Sequence, residues 1–206
     1  MRRVAPFVFA MSVLLSIAAL AGDDKDKPRF SPAPASSYPN HQTMDKITLA
    51  AVPYVTEEQS REAFGKVNPA QHGITPVLLV FQNDTGKALR LDLQAELVDP
   101  GNRHLEATPA SDVVYLDTTI KRPKLPGQSP YPNPFPKKQK KGPLNTWEIE
   151  GRAFAPKLLP AGESANGFFY FQTQLIPGSK LYLTGIKDAA SGKDYFYFEV
   201  PLESPK

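Results

Sequence analysis

The sequence predicts an all-β fold: an antiparallel sandwich of about seven or eight strands, with one short helix and one Pro/Lys-rich loop. Three observations predict it. Apolar residues alternate with polar ones along short runs, above all Leu89, Leu91, Leu93, Ala95 and Leu97, with Arg90, Asp92, Gln94 and Glu96 between them. That is the pattern of an antiparallel strand with one buried and one solvated face. Turn clusters separate such runs at short intervals. Proline, at 22 of 206 residues, is about twice its usual share, and each interior proline would remove a donor from a helix and clash with the preceding turn.

The first 21 residues stand apart from the fold. Arg2 and Arg3 form a positive start, Phe7 to Leu20 is apolar and uncharged, and Ala19-Leu20-Ala21 is a small-x-small cleavage signal. This is the layout of a secretory signal peptide over residues 1–21. A retained anchor is the rival reading, but the apolar run falls short of the roughly 20 residues that cross a bilayer. The expected location is therefore the periplasm or the extracellular space. Residues 22–44, polar and rich in Pro, Ser and Ala, read as a flexible tether. The sandwich is expected over 45–203.

Within it, Lys46 to Val55 is the first strand. Thr56-Glu57-Glu58-Gln59 matches a capping box that opens a short helix, and Gly65 suits its C-terminal stop. Ile74 to Phe81 is a buried strand, closed by the turn Asn83-Asp84-Thr85-Gly86. The alternating strand Leu89 to Leu97 follows and ends at Asp99-Pro100-Gly101-Asn102. Asp112 to Asp117 is expected as another short strand. Residues 118–146 form a basic, proline-rich loop: seven prolines fall between Lys121 and Pro143, too many for a sheet interior. Strands are then expected at Trp147 to Phe154, at Leu158-Leu159 before the turn Pro160–Glu163, at Phe168 to Phe171, around Leu181 and Leu183, and at Tyr195 to Phe198 after the turn Ala190–Lys193. In a strand, Phe168 and Tyr170 face one way and Phe169 and Phe171 the other. One set enters the core and the other needs a cover. Tyr195 and Tyr197, with polar tips, suit a sheet surface.

The stretch from Ile74 through Val77-Leu78-Leu79-Val80-Phe81 to Asn83-Asp84-Thr85-Gly86-Lys87 resembles a strand and turn of bacterial extracytoplasmic immunoglobulin-like (telokin-like) sandwich domains. Leu158-Leu159-Pro160-Ala161-Gly162-Glu163, followed by Gly167 to Phe171, is similar to a later strand of the same domains. The resemblance implies an immunoglobulin-like sandwich outside the cytoplasm. It brings no catalytic residues with it.

Charge is uneven. The formal net charge is +3, or +1 without Arg2 and Arg3. Lys121, Arg122, Lys124, Lys137, Lys138, Lys140 and Lys141 lie in one acid-free stretch, and without them the balance is −6. A mildly acidic body thus carries one basic arm, suited to an anionic surface. Outside the cytoplasm such a surface is lipid headgroups, glycans or an acidic protein patch, and not nucleic acid.

The absence of cysteine excludes thiolate metal sites and cysteine nucleophiles. His41, His72 and His104 are isolated, without metal-ligand spacing. No nucleophile elbow, phosphate loop or dinucleotide motif occurs. Glu148 and Glu150 would share one face of a strand, which is more often a solvated pair than a hydrolase dyad. The expectation is a non-enzymatic binding or structural module without cofactor. Its candidate contact residues are the seven arm cations together with Tyr195 and Tyr197, and its partner is an envelope protein, a glycan or an anionic membrane surface. The alternatives are a periplasmic chaperone acting by strand addition and a small exported hydrolase.

Overall fold

The computed structural model describes residues 30–116, 142–144 and 147–203. The chain forms β1 (His41–Met44), β2 (Ile47–Pro53), α1 (Glu57–Phe64), β3 (Thr75–Asn83), β4 (Leu89–Val98), β5 (His104–Glu106), α2 (Ala110–Val113), α3 (Trp147–Gly151), β6 (Leu158–Leu159), β7 (Ser164–Phe171), β8 (Lys180–Asp188) and β9 (Phe198–Pro201). One antiparallel sheet has the order β1-β2-β3-β7. The second has the order β5-β4-β8-β9, with β6 sharing the outer edge of β4 with β5. The fold is the expected all-β sandwich, with nine strands among the described residues.

The two faces of the first sheet are both covered, for different reasons. Towards the second sheet, Leu49, Val77, Leu79, Phe81 and Phe171 meet Leu91, Leu181, Leu183, Phe198 and Val200 in the main core. On the opposite face, Ala50, Leu78, Val80, Phe168 and Tyr170 pack against Phe64 of α1, Val113 of α2 and Ile149 of α3. This is why β3 is apolar at every position from Val77 to Phe81 while β4 alternates: a strand covered on both sides needs no polar face. The cover for the second aromatic set is thus a layer of short helices. The Phe64 ring packs tilted against Phe168, with centroids 4.8 Å apart, and burying such a ring stabilises the layer by about 3 kcal/mol.

α1 begins as its sequence requires. The Thr56 hydroxyl accepts the Gln59 amide and the Gln59 side chain accepts the Thr56 amide, both at 3.2 Å, and Gly65 closes the helix at φ 68°. At the end of β3, the buried Asn83 side chain donates to the carbonyls of Lys87, Leu159 and Pro160. It ties the turn before β4 to the turn before β7.

Several expectations are corrected. From Phe30 onward the anticipated tether belongs to the fold: Ala35 is buried in a 3-10 turn, and β1 pairs along β2. Of the stretch expected as a strand at Asp112–Asp117, the described residues 112–116 are the end of α2 and the turn after it, and Asp117 lies outside the described residues. Ala110, Val113 and Leu116 recur every three residues and share one buried side, a helical spacing that four apolar residues in a row had obscured. The strand expected at Trp147–Phe154 is α3 over Trp147–Gly151, and only Ala153 beyond it bridges a strand, at Phe168. Only Ile149 of the five residues of α3 is buried, and Glu148 and Glu150 occupy the first turn, where the helix dipole favours acids. Those two carboxylates therefore do not share a strand face. Leu144, at the end of the anticipated loop, is fully buried in the helical layer.

The strand expected at Tyr195–Phe198 is interrupted. Asp194 bridges Lys187, the Tyr195 amide donates to the Ile186 carbonyl, and Phe198 pairs with Leu183. All three stand in one register, and the break at Phe196-Tyr197 falls opposite Gly185-Thr184. There β4 carries a bulge, with two residues, Asp92 and Leu93, opposite Gly185 alone. Gly185 has φ +88°, a backbone that glycine adopts without steric cost. The bend that accommodates β4 on one side of β8 releases the chain on the other.

Candidate binding surfaces

Among the described residues nothing packs over the outer face of the second sheet, whereas the outer face of the first lies under helices. Across its strands, Glu106, Glu96, Tyr182 and Glu199 form one row. Several charged side chains pair within the face, Lys180 to Glu199 at 2.5 Å, Lys187 to Asp194 at 3.2 Å and Arg90 to Asp92 at 3.0 Å, and His104 Nδ1 lies 2.7 Å from a Glu96 carboxylate oxygen. Such exposed pairs contribute little stability each, but they leave a face of low net charge around its aromatic centre. That centre is Tyr182 against Tyr197, with ring centroids 5.1 Å apart and planes tilted by 33°. Tyr197, 50% exposed, lies on this face against Tyr182, and its neighbour Phe196 is 73% exposed where the β9 ladder is interrupted opposite Gly185.

Tyr197 thus lies on the surface as expected. Tyr195 does not join it in the same way: it packs partly against the main core. Lys121, Arg122, Lys124, Lys137, Lys138, Lys140 and Lys141 lie outside the described residues, as do residues 1–21. Tyr182 was missed in the sequence, although its place between Leu181 and Leu183 marks it as outward-facing. A second exposed aromatic was also missed: Trp147 is 71% exposed. The Arg152 guanidinium lies 4.8 Å from the Phe30 ring centre and 6.0 Å from that of Trp147, and also donates to the Glu62 carbonyl.

The free edge of β9 is short and closed. It ends at Pro201, and the Gln42 side chain on β1 accepts the outward Glu199 amide at 3.0 Å. The edge of β7 is likewise occupied. Its Tyr170 carbonyl takes the Thr108 amide, and its Phe168 backbone exchanges bonds with Arg152 and Phe154.

Among the described residues, no group of three or more His, Asp or Glu is placed to hold a metal ion, and no helix is long and apolar enough to cross a membrane. Comparison with models of protein families and with curated proteins finds no match to this chain.

Proposed function

We propose that this chain is an exported, non-enzymatic binding module with an immunoglobulin-like sandwich, working at the cell envelope. The observation that carries the reading is the asymmetry of the two outer sheet faces. One is sealed by helices, and the other presents Tyr182 and Tyr197 to the surroundings with several of its charges already paired. Exposed aromatic rings with polar tips are the usual anchors of a contact surface.

The strand order supports the immunoglobulin-like part of the reading. β2-β3-β7 and β4-β8-β9 follow the A-B-E and C-F-G order of such domains, and the helical insertion α2–α3 stands where a D strand would run. The apolar segment and cleavage signal of residues 1–21 support export. The seven cations of residues 118–146 supply a second, electrostatic contact with an anionic surface. Strand addition is weakly supported, because the β9 edge is four residues long and capped by Gln42.

The test is fractionation of cells that make the full chain. Tyr182→Ala combined with Tyr197→Ala should shift the protein from the envelope to the soluble fraction without changing its circular-dichroism spectrum. Unaltered envelope association of the folded double variant would remove the proposal.

A further inference from the structure

The flank of the sandwich between the β4 and β7 edges holds a recess of 370 Å³. Two chain segments cross from sheet to sheet and frame it. On one side, the Ala107 amide bonds the Ala95 carbonyl of β4 and the next amide, that of Thr108, bonds the Tyr170 carbonyl of β7. On the other, the Phe154 amide bonds the Phe168 carbonyl of β7, and Lys157 accepts the Leu91 amide of β4. Between these crossings, Asp92 to Gln94 have no strand partner on this edge among the described residues, since β6 pairs β4 only at Leu89 and Arg90 and β5 pairs it only from Glu96. At roughly 3.3 Å per residue the opening is about 13 Å along β4.

The recess has an apolar side, with Gln94 and Thr108 also in its lining. Leu93, Ala107 and Pro109 face Phe154 and Phe169, whose rings stack at 5.6 Å and 16°. Its lip is acidic. Glu96 and Glu106 stand directly opposite each other across the β4–β5 ladder, an arrangement that repels. His104 Nδ1 lies 2.7 Å from a Glu96 carboxylate oxygen. Glu106 is exposed and has no hydrogen-bond or ion-pair partner among the described residues. A cation placed beside Glu106 would relieve the repulsion.

We infer that the recess binds an extended peptide segment of a partner protein, taking one bulky apolar side chain inside and an adjacent lysine or arginine at the Glu96–Glu106 lip. The volume lies near the lower end of ligand sites, enough for one large side chain with its flanking atoms. The unpaired stretch of β4 offers main-chain groups to an extended backbone, as in strand-edge recognition. The recess lies on the flank and its lip borders the tyrosine face, since Glu96 stands opposite Tyr182 across the β4–β8 ladder; binding at the recess is read separately by the Glu106 variants, which leave Tyr182 and Tyr197 in place.

The test is fluorescence anisotropy of the full chain with a labelled hexapeptide that carries one phenylalanine followed by two lysines. Two control peptides replace the phenylalanine by alanine or the lysines by glutamates. The phenylalanine–lysine peptide should bind saturably and best, and Glu106→Lys should weaken it by about tenfold while Glu106→Gln has a smaller effect. Unchanged circular dichroism of both variants excludes misfolding, since Glu106 is exposed. Equal binding of the three peptides, or undiminished binding to Glu106→Lys, would overturn the inference. So would uptake of a small aromatic dye with no binding of any peptide.

Discussion

Gly185 lies against the carbonyl of Asp92: a Cβ placed on Gly185 would stand 2.0 Å from that oxygen. The contact occurs where the β4 bulge presses on β8, and it is the reason that β9 starts at Phe198 and leaves Phe196 and Tyr197 exposed. One backbone contact in the sheet thus determines where the aromatic face forms.

Gly185→Ala should therefore be severe. It meets both the clash and a φ of +88°, and a loss of at least about 3 kcal/mol, or no folded protein, is expected in urea unfolding. Gly192 is the control: its backbone is also left-handed, but a Cβ added there would meet nothing within 4 Å. Its change to alanine should cost only about 1 kcal/mol.

The Tyr170 hydroxyl donates to the Ile149 carbonyl at 2.7 Å in a buried setting, joining β7 to α3. Burial also holds the phenol well above its ordinary pKa, so it remains a donor across the physiological range. Tyr170→Phe should keep the ring packing and lose this bond. Chemical denaturation should show a loss of about 1–2 kcal/mol, because a buried carbonyl is left unsatisfied.

Asp188 ends β8 with its carboxylate accepting the Ser191 and Ala190 amides, each at 2.9 Å, and pairing with Lys87 at 3.1 Å. The Ser191 amide, followed by the Lys87 ammonium, lowers its pKa to about 2 from an ordinary 3.8. A depressed folded-state value means stability that is present above pH 3.8 and lost as pH falls towards 2. Asp188→Asn should accordingly be less stable than the parent at neutral pH. Thermal melts across pH 5 to 2 should show the gap closing on the acid side.

The basic arm supplies a separate test of envelope contact. Each lysine near an anionic membrane contributes on the order of 1 kcal/mol. Replacing Lys137, Lys138, Lys140 and Lys141 by glutamine should release the protein from anionic vesicles at low salt, read by co-sedimentation. Raising the salt should abolish the difference between parent and variant, because screening removes the parent's own attraction.

The strands with strong patterns were legible in the sequence. Val77 to Phe81 and Leu89 to Leu97 announced β3 and β4, and the Thr56–Gln59 box announced α1, because each carries a local signal that does not depend on the rest of the chain. The short elements were not. Trp147, Ile149 and Gly151 fit a strand as well as one helical turn, since five residues do not separate a period of 2 from one of 3.6. Neither does an isolated run such as Val113-Val114-Tyr115-Leu116. The tyrosine face was half legible. Tyr197 could be read from its own run, but the exposure of Phe196 depends on a bulge two strands away, which no local pattern contains. The flank recess had no sequence signal, because it arises from where two crossing segments meet the sheet edges.

Contact of the sheet face around Tyr182 and Tyr197 with the envelope can be read in intact cells by placing a photo-reactive side chain at Tyr197 and, separately, at Glu58 on the solvent side of α1. Discrete adducts are expected from position 197, lost when Tyr182 is also changed to alanine, and none from position 58. Adducts of equal yield from both positions, or none from position 197, would contradict that contact.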